Sequence, residues 1–203
     1  MTRRQFLGAA AVGMIPTSLK VKPPLVIPVH IILDQAAKLG PHQLHFFWAY
    51  LWPQAASELA ACGIRLEVSQ AEGEVGRPPG REPTVSGLER GALNLVVTNR
   101  IPMDWDVGRG LSGVTTLYRS YHLCMVALER AHLNQVPFLS LNTCLHEMLH
   151  ALLHDIFESR PRGASGQFRE LRIDWYATGL WLFHDGDAVR KAAESYVTRL
   201  RSA

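Results

Sequence analysis

The sequence predicts an α+β domain, a mixed twisted sheet with a backing helix, an H-E-x-x-H helix after the strands, and C-terminal helices. Three observations carry this. Short β-rich runs at 24–34, 64–70 and 93–101 flank one long helical stretch at 34–63. The stretch 141–160, LNTCLHEMLHALLHDIFESR, has helical periodicity. Two further helical patterns close the chain, roughly 167–183 and from Asp187 to about 200. Strand, long helix, several strands and then three helices is an α+β order, not the alternation of a doubly wound sheet.

Each element has a local reason. PLVIPVHIILD (24–34) is a run of β-formers fit for a buried strand. In 34–63, Gly40-Pro41 and Pro53 mark a start, kink or boundary, and Gly63 suits a C-cap. IRLEVSQ (64–70) reads as the second strand, and residues 71–92 contain a Gly/Pro-rich loop. LNLVVTNRI (93–101) reads as the third strand. GVTTLYRSYHLCMVALE (113–129) holds one or two more. QVPFLSLN then leads into the histidine helix, with Asn142 or Thr143 as its N-cap.

Bulk properties limit the function. The 203 residues suit one domain with a sizeable core. Hydrophobic residues make up 47% and charged residues 19%, which fits a globular chain. The net charge of +3 is small and the arginines are scattered, so no nucleic-acid partner is expected. No apolar run reaches the length of a membrane span.

The first residues read MTRRQFLGAAAVGMIP. Arg3 and Arg4, then Gln5, Phe6 and Leu7, then a small apolar stretch, resemble a twin-arginine export signal. The bland alternative is a frayed terminus with two arginines. The export reading assigns 1–20 to a signal-like segment and 21–203 to one domain. It implies an exported protein, periplasmic or extracellular, or one held by an uncleaved N-terminal anchor. Cys62, Cys124 and Cys144 show no metal spacing. Cys124 and Cys144 can pair in an oxidising compartment, or all three can be small buried hydrophobes.

The chemistry concentrates in the histidine helix. Residues four apart share a helix face, so His146 and His150 can place two imidazoles on one metal ion. Glu147, one position round, can reach a water on that ion. The metal lowers the pKa of that water and the glutamate takes its proton. A histidine-rich surface face is the bland alternative. His154 cannot be the third ligand in a straight helix, because eight residues span roughly 12 Å along the axis. The second helix, FRELRIDWYATGLWLF, offers Glu170 and Asp174 on one face. Glu170 can complete a His2Glu zinc site. Asp174 can accept the free N–H of a ligating imidazole, and it is the alternative ligand. Tyr176 and His184 can each stabilise an oxyanion, although core packing and a helix end are their simpler roles. His42 and His45, on the back helix, read as structural.

HEMLHALLH followed by RELRIDWYATGLWL resembles the gluzincin metallopeptidases, most of all the ImmA/IrrE-type proteins. The matching positions are His146, Glu147, His150, His154, Glu170, Asp174 and Ala177, within 142–183. That likeness implies His146, His150 and Glu170 as zinc ligands, Glu147 as base, and Asp174 behind a ligand. The longer metzincin pattern fails, with Leu153 and Ile156 at its glycine and third histidine. The upstream half is similar to zincins generally, including matrixin-like proteins. It implies a zincin-like fold, and residues 113–122 as a sheet edge that receives extended substrate. An export signal argues against a cytoplasmic role of the ImmA/IrrE kind. The expectation is therefore an exported zinc metallopeptidase with Zn2+ as cofactor and a peptide or protein substrate. The alternatives are a non-catalytic metal- or partner-binding protein and a zinc amidohydrolase acting on a non-peptide amide.

Overall fold

A computed structural model describes residues 22–76, 84–102, 112–118, 121–131, 135–136, 139–140, 142–153 and 182–202. The fold is α+β, with a mixed five-stranded sheet. Its strands are β1 (Leu25–Asp34), β2 (Ile64–Gly73), β5 (Leu93–Thr98), β6 (Gly113–Tyr118) and β7 (Tyr121–Ala127). Two short ribbons pair β3 (Val75–Gly76) with β4 (Thr84–Val85), and β8 (Gln135–Val136) with β9 (Leu139–Ser140). The sheet order is β2-β1-β5-β7-β6. The first four strands run parallel, and β6 turns back antiparallel at the edge.

The centre of the sheet is apolar on both faces, as parallel strands covered on both sides require. Every residue of β5 is buried. Ile27, Val29, Ile31, Leu95 and Val97 belong to the core shared with the helices. Ile32, Val96, Leu123 and Met125 belong to the opposite core, with Val75 and Val85 of the β3–β4 ribbon.

The helical stretch after β1 is α1 (Pro41–Phe46), a wide turn (Phe47–Leu51) and α2 (Trp52–Ala61). Pro53 has no N–H for the carbonyl four residues back. The chain passes this point with a wider turn, closed by the Trp52 N–H on the Phe47 carbonyl. Phe47, Leu51, Ala55 and Leu59, one per turn, stay buried in the shared core. Gly63 ends the stretch at φ +71°, a left-handed value that glycine adopts without strain.

The strand limits shift from expectation: β2 runs on to Gly73, and β5 stops at Thr98. The region 113–129 is a hairpin, with Tyr118 opposite Tyr121, followed by α3 (Leu128–Ala131). The histidine helix is α4 (Thr143–Leu152). The last helix differs more. The sequence HDGD suggests a break capped by Asp187, but α5 (Leu182–Ser202) runs through it. A Cβ on Gly186 would stand 3.6 Å from Cys62 Sγ, an ordinary van der Waals contact, and the glycine lies inside the helix against Cys62. Val189, Ala193, Tyr196 and Leu200 then bury one stripe of α5. Arg190 fastens it, donating to the carbonyls of Gly63 and Pro23 at 2.7 Å each.

Candidate functional site

The site is built on the start of α4. Asn142, 1% exposed, is the N-cap: its Oδ1 accepts from Leu145 N at 3.0 Å. Its Nδ2 donates to the Leu51 carbonyl at 2.8 Å, which joins the histidine helix to the wide turn of the backing helix. Nine of the ten helix residues are buried, so α4 is a core helix and not a solvated histidine face.

At helical spacing His146 and His150 fall on one side. Their Nε2 atoms stand 3.0 Å apart, with ring centroids at 4.7 Å and planes at 70°. His146 is 9% exposed and His150 half-buried. Glu147 is 4% exposed, and its Oε1 lies 4.0 Å from His146 Nε2. The two imidazole nitrogens thus face each other, with one Glu147 carboxylate oxygen beside His146.

The edge strand meets this carboxylate. Antiparallel pairing sets Thr115 opposite Cys124 and Gly113 opposite Val126. Alternation along the strand then puts Gly113 and Thr115 on one face, and both reach Glu147 of α4. Thr115 Oγ1 lies 2.7 Å from Glu147 Oε2 and 2.8 Å from the Glu147 carbonyl oxygen. Cys124 donates its thiol hydrogen to that same carbonyl at 3.3 Å. A Cβ on Gly113 would stand 2.5 Å from Glu147 Oε1 and 2.6 Å from its Cγ. Only glycine leaves room for the glutamate there.

All three cysteines are buried thiols outside any disulfide. Burial pushes the Cys62 thiol up to about 11, with Glu58 adding to the shift. Burial likewise holds the Cys124 and Cys144 thiols well above the usual range, and Glu147 reinforces this in both. These are packing residues that carry neutral thiols.

Of the residues picked out from the sequence, the structure brings together His146, Glu147 and His150. Glu170, Asp174, Tyr176 and His154 lie outside the described residues, and of His184 only the helical backbone in α5 is described. Among the described residues, no three His, Cys, Asp or Glu side chains cluster as a metal-holding group. The two imidazoles suit a shared cation as two of its ligands. His42 and His45 are exposed on α1. Thr115 and Gly113 were not singled out by any motif, and their one signal is a Gly-x-Thr on a strand expected at a sheet edge. No family model, curated protein or solved structure matches the chain.

Proposed function

We propose that the protein is a zinc-dependent peptidase of zincin type. The observation that carries this is the convergence of His146 Nε2 and His150 Nε2 at 3.0 Å, with Glu147 Oε1 4.0 Å from the first. Two imidazole nitrogen donors on one helix face fit a zinc ion, and a carboxylate from Glu170 would complete the set. Asp174 is the alternative third ligand. When bound there, the ion would polarise a scissile carbonyl and lower the pKa of a water.

The chain's own groups do the rest. Glu147, held beside the imidazoles, accepts the proton of the attacking water and passes it to the leaving amine. Burial of this carboxylate favours the work, because fewer waters compete for its oxygen. The antiparallel edge strand β6 supports the zincin likeness. It lies against α4, where an extended peptide can add to the sheet edge and meet the site. Tyr176 and His184 remain candidates for stabilising an oxyanion. The arginine pair near the start favours an exported protein, and among the described residues no helix is long and apolar enough to cross a membrane.

The test is direct. Purified protein is assayed for bound zinc and for cleavage of a mixed set of fluorogenic peptides, with and without chelator. Stoichiometric zinc and chelator-sensitive cleavage support the reading. Absence of both overturns it.

A further inference from the structure

We propose that Thr115 is a positioning residue for Glu147, and that Gly113 forms the surface against which it is held. This rests on Glu147 being the base. The geometry is specific. The two oxygens of one carboxylate have different neighbours: Oε2 lies 2.7 Å from Thr115 Oγ1, and Oε1 faces His146 at 4.0 Å. The hydroxyl has one hydrogen and two acceptors on Glu147, Oε2 and the carbonyl oxygen at 2.8 Å; donated to Oε2, it sets Oε1 toward His146. Gly113 closes the other side, since any Cβ there would overlap Oε1, Cγ and Cδ of Glu147 within 2.8 Å. Alternate residues of one strand thereby give this buried glutamate side chain a hydrogen-bond donor and a steric wall.

The arrangement also survives the proton transfer. When Oε1 takes a proton, Oε2 becomes the carbonyl oxygen of a carboxylic acid and still accepts from Thr115. When the proton leaves, Oε2 is again a carboxylate oxygen with the same donor. The hydrogen bond is present in both states, so the side chain need not rotate during a cycle. Because β6 is the sheet edge, a peptide added there would lie on the strand that aims the base. Binding and base placement then share one element.

Three variants test this. Thr115→Val keeps the shape and removes the hydroxyl. It should lower kcat about 10- to 100-fold, as expected for a misplaced catalytic group, while KM and bound zinc stay at wild-type values. Thr115→Ser restores the hydroxyl and should recover kcat to within about three-fold of wild type. Wild-type kcat in the valine variant overturns the proposal, and so does a serine variant as impaired as valine.

The steric half has a readout without catalysis. Gly113→Ala should lower Tm by roughly 5 °C through overpacking. The same change in a Glu147→Ala background should cost nothing, because the overlapping atoms are gone. An equal loss in both backgrounds overturns the contact. A wild-type protein that binds no zinc and cleaves no peptide removes the reaction and the role with it, while the Tm comparison still judges the contact separately.

Discussion

His146 Nε2 and His150 Nε2 lie 3.0 Å apart, one helical turn from each other. Two neutral rings at this distance can share one proton, and two protonated rings would set N–H groups head to head. A zinc ion instead uses both lone pairs. With tetrahedral bonds of about 2.0–2.1 Å the nitrogens sit roughly 3.3 Å apart, a few tenths of an ångström wider than here. The backbone of α4 need not move. Zinc should therefore raise Tm, by about 5–10 °C at a hundred-fold excess over Kd. Differential scanning fluorimetry with His146→Ala and His150→Ala checks it, and each variant should lose the shift.

Glu147 and Glu170 have separable roles under the proposed reading. Glu147→Gln keeps both imidazoles, so zinc should stay while cleavage falls by at least about a hundred-fold. Glu170→Gln should lose most bound zinc, whereas Asp174→Asn should weaken binding by roughly ten- to a hundred-fold. Elemental analysis after dialysis against a weak chelator separates the three. Full zinc in the Glu170 variant would reassign the third ligand to Asp174.

Asn142 makes the helix start and ties it to the backing helix. Its Oδ1 caps Leu145 N and its Nδ2 meets the Leu51 carbonyl. Truncation to alanine removes the cap, the donor to the Leu51 carbonyl and the contact with Gln54 Oε1 at 3.3 Å. A loss of about 2–3 kcal/mol is expected from the cap and the carbonyl together. Urea unfolding of Asn142→Ala measures it. Asn142→Asp keeps the cap but sets a buried carboxylate oxygen against the Leu51 carbonyl oxygen, so it should cost at least as much as alanine.

Sequence and structure agree where local chemistry is strong. The β-rich run 24–34 lies in β1, with Leu25–Asp34 in the strand, and Gly63 takes the left-handed turn that ends the helical stretch. The histidine helix was legible for the same reason, and of its two cap candidates, Asn142 and Thr143, the structure takes Asn142. The HDGD break was misread because Gly186 and three polar neighbours resemble a stop in isolation. In the fold this glycine sits inside the helix against Cys62, a contact that the local sequence does not encode. Thr115 and Gly113 were illegible as site residues, because their role depends on β6 pairing back on β7 and meeting α4. No spacing along the chain encodes that meeting.

The buried thiols set an alkaline limit on stability. The Cys62 thiol is raised from 9.0 to about 11, chiefly by burial. The unfolded chain then loses its proton at a lower pH than the folded one. The contribution is complete below about pH 9 and falls as pH rises toward 11. Urea midpoints should therefore drop between pH 8.5 and 10.5 in the wild type, by more than in Cys62→Ala. At pH 7 all three native thiols should resist iodoacetamide for hours and react promptly in urea. Fast labelling of any cysteine in the native protein would contradict the burial.

The location proposal rests on the first residues. Arg3 and Arg4 precede Gln5, Phe6 and Leu7, and residues 8–13 are small and mildly apolar. A receptor that reads paired arginines also transports folded cargo. A folded metalloprotein benefits from this, because zinc can be loaded inside, before competing metals are met. Lysine keeps the charge of arginine but lacks its planar fork of donors. Replacing both arginines with lysine tests the pair without changing charge or hydropathy. Cell fractionation should then find the variant retained inside and the wild type outside the cytoplasm. Equal export of both would show that the pair is not read as a signal, and the proposed location would fall with it.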